Sequence, residues 1–275
     1  MTLGVIGLGL IGGSFAKAIK QYTPHTVLGY NRTEAVTNKA LAAGVIDGRL
    51  DKETLPSCDI LIVSLYPDDT IHYVIQNKDF IKKGAIVTDC GGTKEKVCES
   101  LVPVAAESGF FFIGAHPMAG IEFSGFDHSK AEMFRGASMI LTPPADVPES
   151  VVNILSDFAL SLGFGTIKRS NPKEHDRVIA YTSQLAHLLS SAYVQSDTAL
   201  LHKGFSAGSF RDLTRVARLN VAMWTELFFE NKLPLLSETD TLIATLTEFR
   251  SALAADDRDK MATLLQNGCD RKEKI

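Results

Sequence analysis

The sequence predicts an α/β protein, with an N-terminal doubly wound, Rossmann-type domain over residues 1–169 and an all-helical domain over residues 170–275. Three observations predict it. An apolar run ends in Gly7-x-Gly9-x-x-Gly12, short apolar strand patterns alternate with helix-period stretches as far as Lys168, and beyond Asn171 the strand patterns stop.

Leu3 to Ile6 reads as a buried strand feeding a helix from Leu10 to about Lys20. Each glycine of the turn has its own task. Gly7 permits the tight turn, Gly9 lets the backbone approach a pyrophosphate, and Gly12 lets the helix pack against the strand. Leu8, Leu10 and Ile11 complete a turn whose helix end offers free N–H groups and the positive end of a dipole. A second strand at Thr26–Tyr30 follows at the spacing of a βαβ unit, which lifts the pattern above a ligand-free glycine turn. That strand runs into Asn31-Arg32-Thr33. NAD-binding units usually carry a carboxylate here for the ribose. Asn31 has no charge to repel a 2′-phosphate, and Arg32 with Thr33 are placed to clasp one, so NADP is favoured over NAD. The alternative is a solvated Arg32 with Asn31 accepting NAD.

A helix is expected from Thr33 to Ala43, closed by Gly44, and then a strand from Asp59 to Ser64 that is apolar throughout, as suits a parallel strand covered on both faces. Its exit lies at the carboxyl end of the sheet, which makes Ser64 and Leu65 a candidate cofactor wall, with Pro67 at the first helical position. The next strand, Gly84–Asp89, ends in a further candidate cofactor contact, Asp89, before Cys90-Gly91-Gly92-Thr93-Lys94 and a helix to about Glu107. Phe110–Ala115 leads into His116-Pro117-Met118-Ala119-Gly120, and strands at Ala137–Thr142 and Phe164–Lys168 flank a helix from Pro148 to about Leu162.

Asn171 and Pro172 supply an N-cap and first helical residue at the boundary. Helical stretches follow at Pro172–Lys203, Phe210–Asn231, Pro234–Ala255 and Asp256–Gln266, with a disordered tail at 270–275. Ala, Leu and Phe occupy more than one face of these helices, which predicts a homodimer formed through them.

Composition sets the bounds. With 275 residues, 45% hydrophobic and 22% charged, the chain is of ordinary globular type. A net charge of −4 leaves no basic footprint for nucleic acid. No stretch approaches the length of a membrane span, and the apolar N-terminus lacks the basic start of a secretory signal. Cys58, Cys90, Cys98 and Cys269 show no metal-ligand spacing, so reduced thiols, no metal and a cytoplasmic location are expected.

His116 ends a strand on the same edge as the glycine turn, where an imidazole can take the proton of a hydroxyl being oxidised; a histidine held only by backbone bonds is the alternative. Arg211, Arg215 and Arg218 recur at i, i+4 and i+7 of an expected helix and would share one face, able to grip a carboxylate or simply solvated. His187 sits on an apolar helix and Asp176 one turn into its own, where it favours the dipole.

Gly7-x-Gly9-x-x-Gly12-Gly13-Ser14, Thr88-Asp89-Cys90-Gly91-Gly92-Thr93-Lys94, Gly114-Ala115-His116-Pro117-Met118-Ala119-Gly120, Ser183-Gln184-x-x-His187 and Phe210-Arg211-Asp212-x-Thr214-Arg215 together resemble the prephenate/arogenate dehydrogenase family of tyrosine biosynthesis. The resemblance spans nearly the whole chain, and the His-Pro-x-Ala-Gly and Arg-Asp-x-Thr-Arg segments are its specific parts. It implies oxidative decarboxylation of prephenate or arogenate, with hydride passing to NADP or NAD. It implies that His116 bonds the ring hydroxyl, that Arg215 binds a substrate carboxylate with His187 and Gln184 beside it, and that Glu122, Asp176 and Trp224 lie near the entrance, where they order Arg215. Two departures stand out. Gly92 takes the place of a serine near the catalytic histidine, with Thr93 its nearest replacement, and Gln184 takes that of a histidine. No additional catalytic or regulatory domain is expected. A β-hydroxyacid dehydrogenase is the competing enzyme, but it calls for a lysine within the first long helix, and Lys173 and Lys203 sit at its ends. A non-catalytic NADP-binding sensor is a third reading, and it has no use for His116 or Arg215.

Overall fold

A computed structural model describes residues 1–121 and 123–275. The first unit runs β1 (Thr2–Ile6), α1 (Leu10–Tyr22) and β2 (Thr26–Tyr30), then α2 (Glu34–Ala42) and a two-residue β3 (Gly48–Arg49) too short to show in the pattern. Next come β4 (Ile60–Val63), α3 (Pro67–Asn77), β5 (Ile86–Asp89), α4 (Glu95–Ser108) and β6 (Phe111–Pro117). β7 (Ser138–Thr142), α5 (Glu149–Ser161) and β8 (Thr166–Arg169) complete an eight-stranded sheet of order β3-β2-β1-β4-β5-β6-β7-β8.

β3 to β6 run parallel; β7 pairs antiparallel with β6, and β8 follows β7 in parallel. Periodicity cannot report that reversal, because a strand covered on both faces reads the same in either direction. The order switches beside β1, which lies between β2 and β4. At such a point, crossovers leave in opposite directions and open a crevice at the carboxyl edge. Both faces are filled: Phe15, Phe134 and Phe164 pack on one side, Leu61, Val63, Leu101 and Phe112 on the other.

The chain then turns helical at α6 (Pro172–Ile179). Asn171 caps it, its side chain accepting from Glu174 N at 2.9 Å. The expected continuous helix to Lys203 is instead divided. A π-helical turn at Ala180–Leu185 joins α6 to α7 (Ala186–Tyr193), and a short 3₁₀ segment follows at Asp197–Leu201. The second expected helix also splits, into α8 (Gly208–Thr214) and α9 (Val221–Glu230), because Asn220 starts a new helix by accepting from Met223 N at 3.2 Å. α10 (Lys232–Ala254) and α11 (Arg258–Lys272) end the fold. The first half of the tail expected to be disordered, Asp270 to Lys272, is helical, with Arg271 and Lys272 in the last turn, where cations suit the dipole.

Few apolar side chains of this half are buried among the described residues: Ile179, Ala180, Leu185, Leu235 and Ala252. Phe205 is 93% exposed, Leu200 79% and Leu233 77%. This is the unburied face that the sequence assigns to a second copy. Among the described residues no helix is long and apolar enough to cross a membrane.

Candidate active site

The glycine turn has the geometry a pyrophosphate requires. Gly7 holds φ at +87°, and a Cβ there would lie 2.3 Å from the Ser64 carbonyl oxygen. A Cβ on Gly12 would meet the Gly7 carbonyl oxygen at 2.0 Å, whereas one on Gly9 would meet nothing within 4 Å. Only the middle glycine therefore opens on free space. α1 begins at Leu10 and Ile11 without a side-chain cap or a first-turn acidic residue, so its leading N–H groups and dipole are left for an anion. The residues present fit a dinucleotide.

At the end of β2, Asn31 Oδ1 accepts from Leu8 N at 3.0 Å, and its amide donates to Thr33 O at 3.3 Å. Asn31 thus ties the ribose end to the glycine turn. Arg32 and Thr33 are exposed, and the Thr33 hydroxyl makes no cap bond to α2. Ser64 and Leu65 flank the turn from β4 as expected, a Cβ on Gly7 lying 2.8 Å from Leu65 Cδ2.

Asp89 departs from its expected place on the cofactor. It is 1% exposed; Oδ1 accepts from Ala115 N at 3.0 Å, Oδ2 accepts from Gly91 N at 2.8 Å, and the carboxylate pairs with the equally buried Lys94. A carboxylate taken out of water needs this full set of partners. It joins β5, β6 and the loop before α4 instead of facing a ligand.

His116, half-buried near the end of β6, lies 2.9 Å through Nδ1 from Nε2 of His175 on α6. Nδ1 of His175 in turn lies 2.6 Å from Asp176 Oδ1. The same carboxylate accepts from Lys94 N at 2.7 Å and Glu95 N at 2.9 Å, capping α4 from another helix. The proton positions follow from the chain. A carboxylate only accepts, so His175 carries its proton on Nδ1; neutral His175 then accepts at Nε2, His116 donates from Nδ1, and His116 Nε2 keeps a lone pair. Burial, the His175 ring and the Lys94 ammonium hold the His116 pKa well below its ordinary value. Burial also lowers that of His175. The result is a neutral imidazole whose tautomer is fixed, at the strand edge next to the cofactor crevice.

His175 is absent from the sequence reading, and Asp176 was expected at the entrance beside Arg215. Asp176 is instead buried behind the base, because the first turn of α6 packs on the start of α4. The adjacent acid and imidazole at the head of a capped helix were the available signal.

Gln184, also buried, is bonded at both ends of its amide: Nε2 donates to Leu227 O at 3.2 Å, and Oε1 accepts from Asn231 at 2.7 Å. It ties the 180–185 turn to the end of α9. Gly92 contacts α9, since a Cβ there would lie 3.4 Å from a Leu227 methyl group. That is ordinary van der Waals contact, so Leu227 lies against Gly92 without excluding a serine. The Thr93 hydroxyl donates to Glu230 Oε2 at 2.8 Å, so Thr93 does not replace that serine toward His116.

His187 Nδ1 meets Ser183 O at 2.8 Å, and the ring stacks on Trp224 with centroids 4.0 Å apart. Burial lowers its pKa, and so does the Arg215 charge. Arg215 is the C-cap of α8 and is exposed. Because α8 stops at Thr214, Arg218 lies beyond it, and the expected three-arginine face does not form. Glu122 lies outside the described residues.

The family model described as the prephenate dehydrogenase nucleotide-binding domain matches residues 15–167, and that described as the prephenate dehydrogenase dimerization domain matches residues 171–267. A cyclohexadienyl dehydrogenase of Zymomonas mobilis is 32% identical over 94% of this chain and 90% of its own. A prephenate dehydrogenase of Bacillus subtilis is 30% identical over 99% of this chain and 75% of its own. Among solved structures, a Synechocystis arogenate dehydrogenase superposes with a TM-score of 0.85 at 25% identity, covering 100% of both chains.

Proposed function

The chain belongs to the prephenate dehydrogenase family, and from that premise we propose that it oxidises prephenate to 4-hydroxyphenylpyruvate and CO2, with NADP preferred to NAD as hydride acceptor. The observation that carries the reading is the Asp176–His175–His116 chain at the carboxyl edge of β6, beside a glycine turn shaped for a dinucleotide.

Gly7, Gly9, Gly12 and the first N–H groups of α1 hold the pyrophosphate, with Asn31, Arg32 and Thr33 at the adenosine end. A bound nicotinamide supplies the acceptor for the hydride that leaves ring C4. His116 Nε2 takes the proton of the C4 hydroxyl, and His175 and Asp176 steady the imidazolium that forms. The C4 oxygen becomes a carbonyl; the C1 carboxylate then leaves as CO2, its bonding electrons aromatise the ring, and His116 returns the proton to the same oxygen. No proton is gained or lost overall, so a single well-held imidazole suffices. Arg215 binds the side-chain carboxylate, and His187 stacked on Trp224 walls the pocket.

Homodimerisation through the helical half covers the exposed Leu200, Phe205 and Leu233. The ring chemistry is identical for arogenate, which differs only in its side chain. Purified protein is expected to generate reduced cofactor, followed by absorbance, faster with prephenate than with arogenate and with NADP+ than with NAD+. No turnover in any of the four combinations overturns the assignment.

A further inference from the structure

α9 meets the sheet-bearing half through Glu226, at Asp68 of α3, and at the start of α4. There the Glu230 carboxylate, its side chain 6% exposed, accepts from the Thr93 hydroxyl at 2.8 Å and from Lys96 Nζ at 3.0 Å. Lys96 also reaches Asp68 Oδ1 of α3 at 2.5 Å, so one ammonium lies between two carboxylates. The next two backbone N–H groups after Thr93, those of Lys94 and Glu95, are held by Asp176.

Two carboxylates of the helical half, on α6 and α9, are thus bound to three consecutive residues at the positive end of α4. One of them steadies His175 and the base. The other belongs to the helix whose Trp224 stacks on His187 and whose Leu227 covers Gly92.

We infer that Glu230 is a positioning residue for the reaction: through Thr93 it fixes the 91–95 turn, and so keeps the substrate wall on α9 in register with the Asp176–His175–His116 chain. This rests on the dehydrogenase reading above for its kinetic consequence, though not for its structural one. A near-fully buried carboxylate whose oxygens accept from Thr93 and Lys96 is costly to disturb, and small misplacements of a base are felt in the chemical step more than in binding.

The test compares Glu230→Ala, Glu230→Gln, Thr93→Val and the double variant Glu230→Ala/Thr93→Val, in the intact protein. Glu230→Ala and Thr93→Val are each expected to lower kcat about tenfold or more while the KM for the dinucleotide stays within about threefold. The double variant is expected to be no slower than the worse single one, because both remove one bond. Glu230→Gln, which keeps an acceptor for Thr93, should recover most of the rate.

The single tryptophan of the chain, Trp224, reports on α9 without turnover. Its emission is expected to shift alike in Glu230→Ala and Thr93→Val and to stay at the wild-type position in Glu230→Gln. Additive losses in the double variant, a fall in KM affinity without a fall in kcat, or unchanged emission in both single variants overturns the inference. If the wild-type protein turns over none of the substrates, the family reaction fails while the emission series still decides whether Glu230 and Thr93 act as one unit.

Discussion

His116 and Arg215 are the two side chains that the proposed reaction brings to one substrate, and they are held by different means. His116 is fixed by two buried polar side chains, His175 and Asp176, the second held by two backbone N–H groups, so its position and tautomer are set before any ligand arrives. Arg215 is exposed at the end of a seven-residue helix and forms no ion pair among the described residues. The base is preorganised, whereas the anchor is left to be organised by the substrate. Preorganisation lowers the barrier of the chemical step, and an exposed guanidinium contributes mainly to binding.

The sharpest way to break the contrast is to remove each group in turn and see which kinetic constant moves. His116→Asn keeps a polar group of similar size but no base, and is expected to lower kcat by about 10²–10⁴-fold with dinucleotide affinity retained. The pH profile tests the same point. Burial, His175 and Lys94 all disfavour the imidazolium of His116, so its neutral, active form persists to more acidic pH than an ordinary histidine. Protonation inactivates it, and the acid limb of kcat/KM is expected below pH ~6.5, the ordinary histidine value. A limb above that value, or a His116→Asn enzyme with near-normal kcat, would mean the buried chain is scaffolding.

Arg215→Ala should do the reverse. Loss of a charge-assisted bond is expected to raise the KM for prephenate about 10- to 100-fold, with kcat changed little and thermal stability unaltered, since the side chain is exposed. If instead kcat falls as steeply as for His116→Asn, the guanidinium acts in the transition state and the contrast fails.

The same division explains what could be read from the chain alone. The glycine turn, the all-apolar β4, Pro67 at the start of α3 and the Asn171 cap are local, each dictated by a few neighbouring residues, and the structure has them where the pattern puts them. The polar chain behind His116 was not legible, because it joins residues 59 apart in sequence and His175 sits in a segment that reads as ordinary helix. Asp89 was misread for a similar reason: a carboxylate at a strand end suits a ribose hydroxyl as well as a buried lysine five residues on. The first two stretches of the helical half were read as longer helices than they are. Their apolar residues continue through the breaks at 180–185 and 215–220, since they serve exposed faces as well as the interior, and only the Asn220 cap marks a restart.

The smallest effect concerns the far end of the crevice, where a rigid and an open group again stand side by side. Asn31 is tied to Leu8 N, while Arg32 is exposed and Thr33 has a hydroxyl uncommitted to its helix. If Arg32 pairs with a 2′-phosphate, Arg32→Ala is expected to weaken NADP+ about tenfold while NAD+, which lacks that phosphate, changes by less than about twofold, as equilibrium titration of each cofactor would show. The NADP+ term alone should shrink as salt rises, because an exposed ion pair is screened. Equal weakening of both cofactors would put Arg32 on the pyrophosphate they share, and no change in either would make it a solvated loop charge. In both cases Asn31 alone would set the ribose preference, and the open group at this end would have no counterpart to the role proposed for Arg215.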